Sequence, residues 1–164
     1  MSDRGADRTA EPRRVGVLLV CLGNICRSPM AEGLMLEGIR RRGVASRFDV
    51  DSAGTGGWHA GEPADPRMQA TARARGVHLP SRARRIRPED WTRFDHVLCM
   101  DRSNLAGVRA AGCPEARSRL MLSVLEDPGL LEVPDPYHGG PEGFELVFDL
   151  LERATEAWLD RWLA

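Results

Sequence analysis

Residues 21–28 read Cys21-Leu22-Gly23-Asn24-Ile25-Cys26-Arg27-Ser28, which places two thiols, a guanidinium and a hydroxyl in one short segment. The apolar run VGVLLV (15–20) precedes it and a helix-like stretch follows. A turn from a buried strand into a helix N-terminus is a natural anion site, because free amide hydrogens and the helix dipole point at the same space. Gly23 lets the backbone come close to a ligand and take a positive φ. Asn24 is among the few non-glycine types that tolerate the left-handed region. Ser28 and Pro29 read as N-cap and first helical residue. The capping-box glutamate would fall at position 31, where Ala31 stands, with Glu32 one residue later. The expected product is a cup of amides from Leu22, Gly23, Asn24, Ile25 and Cys26, with Cys21 on its floor and Arg27 on its rim. A guanidinium matches two phosphate oxygens in its own plane. A thiol in such a positive field is a strong nucleophile. A tetrahedral oxyanion over a thiolate means phosphoryl transfer to sulfur. The competing reading is a structural cysteine in a tight turn.

These residues need a frame. VGVLLV is apolar throughout, as a strand covered on both faces would be. Residues 29–42 read as a helix with Met30, Leu34 and Met35 inward, closed by Gly43. FDVDSAG (48–54) reads as a second strand that runs into a glycine-rich loop. Residues 66–75 read as a helix closed by Gly76, and 94–100 as a third strand. Residues 103–112 read as a helix with Ser103 as N-cap. RLMLSVL (119–125) is a weaker fourth strand. Residues 130–140, with Pro134 and Pro136, read as a loop, and 141–163 as a long helix with apolar residues every three or four positions. Strands alternating with helices predict an α/β fold with a four-stranded parallel sheet flanked by helices on both faces.

The length of 164 residues suits a single domain over residues 15–164. Residues 1–14 carry mixed charge and read as a disordered tail. The net charge of -1 provides no global field for nucleic acid or an anionic membrane, and neither is expected as a partner. All 23 basic residues are arginine, which excludes lysine chemistry. Four cysteines without an apolar leader point to a reducing compartment, hence the cytoplasm, with signal-independent export left open. Cys99 and Cys113 read as structural. No Cys/His spacing suits zinc, so neither a metal nor a cofactor is expected.

CLGNICRSP resembles the signature loop of the low-molecular-weight protein-tyrosine phosphatases. DSAGTGGWHAGEPADPR, FDHVLCMDRSNL and VPDPYHGG resemble further segments of that family in the same order, so the similarity runs from about residue 15 to 163. It implies a Rossmann-like phosphatase fold and hydrolysis of phosphotyrosine in proteins or peptides, with inorganic phosphate as product and competing ligand. It implies that Cys21 is the nucleophile, Arg27 the phosphate clamp and Ser28 the hydroxyl that serves the thiolate. Asn24 would prop the loop with support from Ser52, and Asp135 would be the general acid. Expelling a phenolate needs a proton, and a carboxyl beside a bound phosphate dianion keeps one. Trp58 and Tyr137 would be the aromatic walls, favouring a flat phosphoester over phosphoserine. Cys26 would trap oxidised Cys21 as a disulfide. Two positions depart from the family: His138 where a second aromatic often stands, and Arg82, read in the place of a histidine that supports the loop. His59, His78 and His96 read as solvent or core histidines. Arsenate reductases share the fold, and protein-arginine phosphatases resemble the chain but carry threonine where it has Ile25.

Overall fold

Four parallel strands run in the order β2-β1-β3-β4 in a computed structural model that describes residues 13–164. They are β1 (Val15–Cys21), β2 (Phe48–Gly54), β3 (His96–Cys99) and β4 (Ser118–Leu120). The helices are α1 (Arg27–Arg41), α2 (Pro66–Ala74), α3 (Asp90–Arg93), α4 (Arg102–Ala110) and α5 (Pro141–Leu163). The expected tail lies outside the described residues apart from its last two, Arg13 and Arg14. Arg13 donates to Asp95 Oδ1 at 2.8 Å, and Arg14 reaches the Phe48 carbonyl at 3.5 Å.

The apolar β1 is covered on both faces. Val17, Leu19 and Cys21 point into a core shared with α1, α2 and α5, while Leu18 and Val20 point into a smaller one with Trp91, Phe94 and Val108. That alternation is the two-residue pleat of a central strand. The chain leaves β1 toward β2 on one side and returns to β3 on the other, so the order reverses beside the carboxyl end of β1. In open α/β sheets that crevice is where ligands bind.

Two expected elements change and one is new. β4 ends at Leu120, because β3 ends at Cys99 and offers no ladder beyond it. Residues Met121–Leu125 coil instead into a 3₁₀ turn that buries Met121 and Leu122, and Trp158 Nε1 donates to the Met121 carbonyl at 2.8 Å. Asp101, not Ser103, caps α4. Its side chain accepts from Asn104 N–H at 2.8 Å, and Asn104 Oδ1 accepts from Asp101 N–H at 3.2 Å. The short helix α3 escaped the sequence reading; it seats Trp91 and Phe94 in the smaller core.

Candidate active site

The 21–28 segment closes the carboxyl end of β1. Helix α1 begins at Arg27 with Cys26 as N-cap, two residues earlier than expected, and no side chain caps it. Ser28 is therefore inside the helix, and its hydroxyl is free for other work. It lies 3.0 Å from Cys21 Sγ. Asn24 Nδ2 donates to Ser28 Oγ at 2.8 Å and to Ser52 Oγ at 2.9 Å. Asn24 Oδ1 accepts from Arg84 N–H at 2.9 Å, which fixes the amide orientation. Both amide hydrogens of Asn24 thus end on serine oxygens, so the Ser28 proton is left for sulfur. Ser52 in turn donates to Glu32 Oε1 at 2.5 Å.

Glu32, one residue past the capping-box position, is 6% exposed. Burial pushes its carboxyl above the usual range, against the Ser52 hydrogen bond. The buried Ser81 hydroxyl beside it also acts against that rise. Arg82, which stands in the place of a supporting histidine, takes no part in the loop network, so the support differs there. It is exposed and donates to the Gly61 carbonyl at 3.0 Å, while the Arg84 backbone holds Asn24.

The positive φ of the loop belongs to Asn24 (φ 58), not Gly23. Gly23 instead keeps space: a Cβ there would sit a tight 3.1 Å from the His59 ring, which would have to give way. Gly54 has the same kind of role at the end of β2, where a Cβ would stand 2.7 Å from the Leu22 carbonyl. Asn24 N–H donates to Cys21 Sγ at 3.3 Å. The amides of Gly23, Ile25 and Cys26 have no backbone acceptor among the described residues. They are the free donors of an anion cup.

Arg27 is 3% exposed. Its Nη1 donates to Asp101 Oδ2 at 2.8 Å and to the Val133 carbonyl at 2.9 Å. With Nη1 saturated, Nε and Nη2 remain for two coplanar oxygens. Nη2 faces Asp135 Oδ2 at 3.8 Å. The other carboxylate oxygen, Oδ1, accepts from Tyr137 N–H at 3.1 Å, a local turn that aims Oδ2 toward the cup.

Cys21, Leu22, Gly23, Ile25, Cys26 and Arg27 line one cavity of ≈ 210 Å³ together with Trp58, His59, Asp135, Tyr137 and His138. Trp58 is 71% exposed and Tyr137 38% exposed, so the walls rise at the mouth. Arg67 lies 5.3 Å over the Tyr137 ring, and His138 meets that ring edge-on at 5.0 Å. His59 belongs to this cavity rather than to solvent or core; its Nδ1 lies 3.1 Å from Glu62 Oε1. Burial, with Asp65 and Cys21 adding to it, pushes the Cys26 thiol up to about 12. Cys99 and Cys113 sit across the sheet in the smaller core, their thiols raised by burial.

Sequence reasoning missed Asp101, Glu32, Arg84 and His59. Asp101 could have been suspected from the DRSN segment, where it precedes a helix. The others carried no local signal.

Known proteins resemble this chain in sequence and fold. Residues 16–163 match the model of the low molecular weight phosphotyrosine protein phosphatase family. A low molecular weight phosphotyrosine protein phosphatase of Schizosaccharomyces pombe is 41% identical, over 80% of this chain and 86% of its own. A protein tyrosine phosphatase of Entamoeba histolytica, solved with Hepes in the active site, superposes with a TM-score of 0.86 at 37% identity, covering 91% of this chain and 97% of that one. The Drosophila arginine phosphatase superposes with a TM-score of 0.85 at 28% identity, covering 90% and 98%. The chain belongs to the low molecular weight phosphotyrosine protein phosphatase family.

Proposed function

We propose that the chain hydrolyses phosphotyrosine in proteins or peptides by two successive phosphoryl transfers at Cys21. The observation that carries the reading is the Cys21 sulfur on the cavity floor, with Ser28 Oγ at 3.0 Å, Asn24 N–H at 3.3 Å and the free loop amides around it. In the first step Sγ attacks phosphorus in line with the phenolic oxygen. The loop amides and Arg27 Nε and Nη2 carry the charge on the three remaining oxygens. Asp135, aimed at Arg27 from the rim, gives its proton to the leaving phenolate. In the second step Asp135 takes a proton from water, which attacks the phosphocysteine. Sulfur departs as a thiolate that the Ser28 hydroxyl stabilises. The reading assigns no step to a metal or organic cofactor. Phosphate, the product, competes with substrate for the same cup.

Trp58 and Tyr137 at the mouth suit a flat aromatic ester; a phosphoserine is too short to reach the floor and gains no ring contact. Cys26 is the partner that protects Cys21 from overoxidation. A cytoplasmic location fits four free cysteines. Among the described residues no helix is long and apolar enough to cross a membrane.

Cys21→Ser tests the reading. Turnover of an aryl phosphate should vanish while phosphate binding by calorimetry persists, and rapid quenching of the native enzyme should trap a phosphoryl group on Cys21. Appreciable turnover by the variant would refute the covalent route. The likeness to the arginine phosphatase makes phosphoarginine the second reading. Ile25, 8% exposed and lining the cavity, decides between them. Ile25→Thr should raise phosphoarginine activity relative to phosphotyrosine, and phosphoarginine preferred by the native chain would reverse the assignment.

A further inference from the structure

The segment SRARRIR (81–87) holds four arginines and no acid. It runs beside the loop that carries Trp58 and His59. Gly54 N–H donates to the Arg84 carbonyl at 2.8 Å, Ile86 N–H to the Gly54 carbonyl at 2.9 Å, and Gly61 N–H to the Ala83 carbonyl at 2.8 Å. The segment's side chains divide between the interior and solvent. Ala83 is buried and Arg84 turns inward to Asp51 and Asp90, while Arg82 and Arg85 are exposed. Arg82 and Arg85 lie beside the two ends of the Trp58–His59 segment, outside the cavity lining itself. Arg82 donates to the Gly61 carbonyl at 3.0 Å, and a Cβ on Gly57 would lie 3.6 Å from Arg85 Cδ.

Neither has a carboxylate within salt-bridge distance among the described residues. Glu62, an acid on that loop, lies 3.1 Å from His59 Nδ1. On the opposite wall, Arg67 is neutralised by Asp65 at 2.9 Å. The uncompensated positive charge therefore lies beside the Trp58–His59 segment, on one side of the cavity, on a chain whose net charge is -1. The fold does not need these two charges for its own pairing.

A phosphotyrosine seated over Cys21 sends its main chain across the rim. An extended peptide advances roughly 3.3–3.6 Å per residue, so neighbours one to three positions away pass within reach of long arginine side chains. We infer that Arg82 and Arg85 select phosphotyrosine flanked by acidic residues. The inference rests on the proposed phosphatase reading and adds the class of sequence around the phosphotyrosine. Each exposed ion pair is worth about 0.2–1 kcal/mol, so two provide an advantage of roughly twofold to thirtyfold, weakened by salt.

The test compares two phosphotyrosine peptides that differ only in flanking glutamates replaced by glutamines, with p-nitrophenyl phosphate as a substrate that has no flank. The acidic peptide should show the higher kcat/KM, carried by KM and shrinking as sodium chloride is raised. Arg82→Gln with Arg85→Gln should abolish that preference and leave p-nitrophenyl phosphate turnover within about twofold. The single change Arg85→Glu, exposed and easily tolerated, should favour a peptide with flanking lysines. Equal kcat/KM for the two peptides in the native enzyme, or a preference that survives the double replacement, would overturn the inference. Failure of p-nitrophenyl phosphate turnover in the native enzyme would instead count against the phosphatase reading itself.

Discussion

Arg27 Nη1 and Asp101 Oδ2 meet at 2.8 Å, joining the first turn of α1 to the N-cap of α4. Asp101 performs two tasks with two oxygens. Oδ1 accepts from Asn104 N–H and starts the helix, while Oδ2 holds the guanidinium at a fixed angle over the cup. The pair keeps a nearly buried charge compensated before any phosphate arrives, and it leaves the opposite edge of the guanidinium for the ligand.

Asp101→Asn separates the two tasks. Asparagine caps a helix about as well as aspartate, so α4 survives. The charge that positions Arg27 is lost, and hydrogen bonds to charged groups are worth about 1.5–3 kcal/mol. We expect kcat/KM for an aryl phosphate to fall roughly tenfold to a hundredfold, with phosphate inhibition weakened in parallel and the melting temperature little changed. Normal phosphate affinity in this variant would mean that Arg27 needs no such partner.

Asp135→Asn should slow esters with poor leaving groups far more than those with good ones. Only a poor leaving group needs the proton, and such assistance is typically worth on the order of 10² to 10⁴ in rate. A leaving-group series measured on native and variant enzymes gives the answer. Equal slowing across the series would make Asp135 a structural turn residue, held by its bond from Tyr137 N–H.

How much of this was visible in sequence depends on distance along the chain. Cys21, Asn24, Arg27 and Ser28 lie in one turn, so strand, loop and helix chemistry identified them together. The parallel sheet was legible because β1 is apolar on both faces. Asp101 was not, since it lies 74 residues from Arg27 and meets it only when β3 docks beside β1. Glu32 was hidden for another reason. A charged residue in an amphipathic helix is ordinarily a solvent residue, and nothing local signals that Ser52, on β2, draws it inside. The misplaced start of α1 has a related cause: Ser28 looks like a cap because serine usually caps, but here its hydroxyl serves sulfur and Asn24. Asp135, Trp58 and Tyr137 were found by family resemblance; their spacing alone would not have singled them out.

Glu32 should leave a mark on the pH dependence of stability. Its folded carboxyl is raised above the usual value of 4.5 by burial, so the fold prefers the protonated form. The resulting stabilisation is complete below the ordinary value and disappears as pH rises through the raised one. Glu32→Gln keeps an acceptor for Ser52 and cannot titrate. Thermal melts from acid to neutral pH should therefore show the variant gaining on the native chain as pH rises. A constant difference across that range would mean that Glu32 titrates as an ordinary surface carboxyl.

The last expectation concerns Cys26. Cys21 and Cys26 line the same cavity, and the Cys26 thiol, pushed up to about 12, stays protonated at neutral pH. It therefore does not compete with Cys21 for phosphorus. Peroxide delivers one oxygen to Cys21, giving a sulfenic acid and water. Cys26 then loses its proton, attacks that sulfur and releases a second water as the disulfide forms. Because Cys26 must ionise first, disulfide formation should accelerate as pH rises above neutral. Bound phosphate should protect by covering Cys21. Cys26→Ser should keep most activity in reducing buffer yet fail to recover with dithiol after peroxide. Mass spectrometry of the oxidised native chain should find Cys21 linked to Cys26. Cys99 and Cys113 are poor alternatives, since both are buried on the other face of the sheet. A bridge from Cys21 to either of them, or full recovery without Cys26, would sink the assignment.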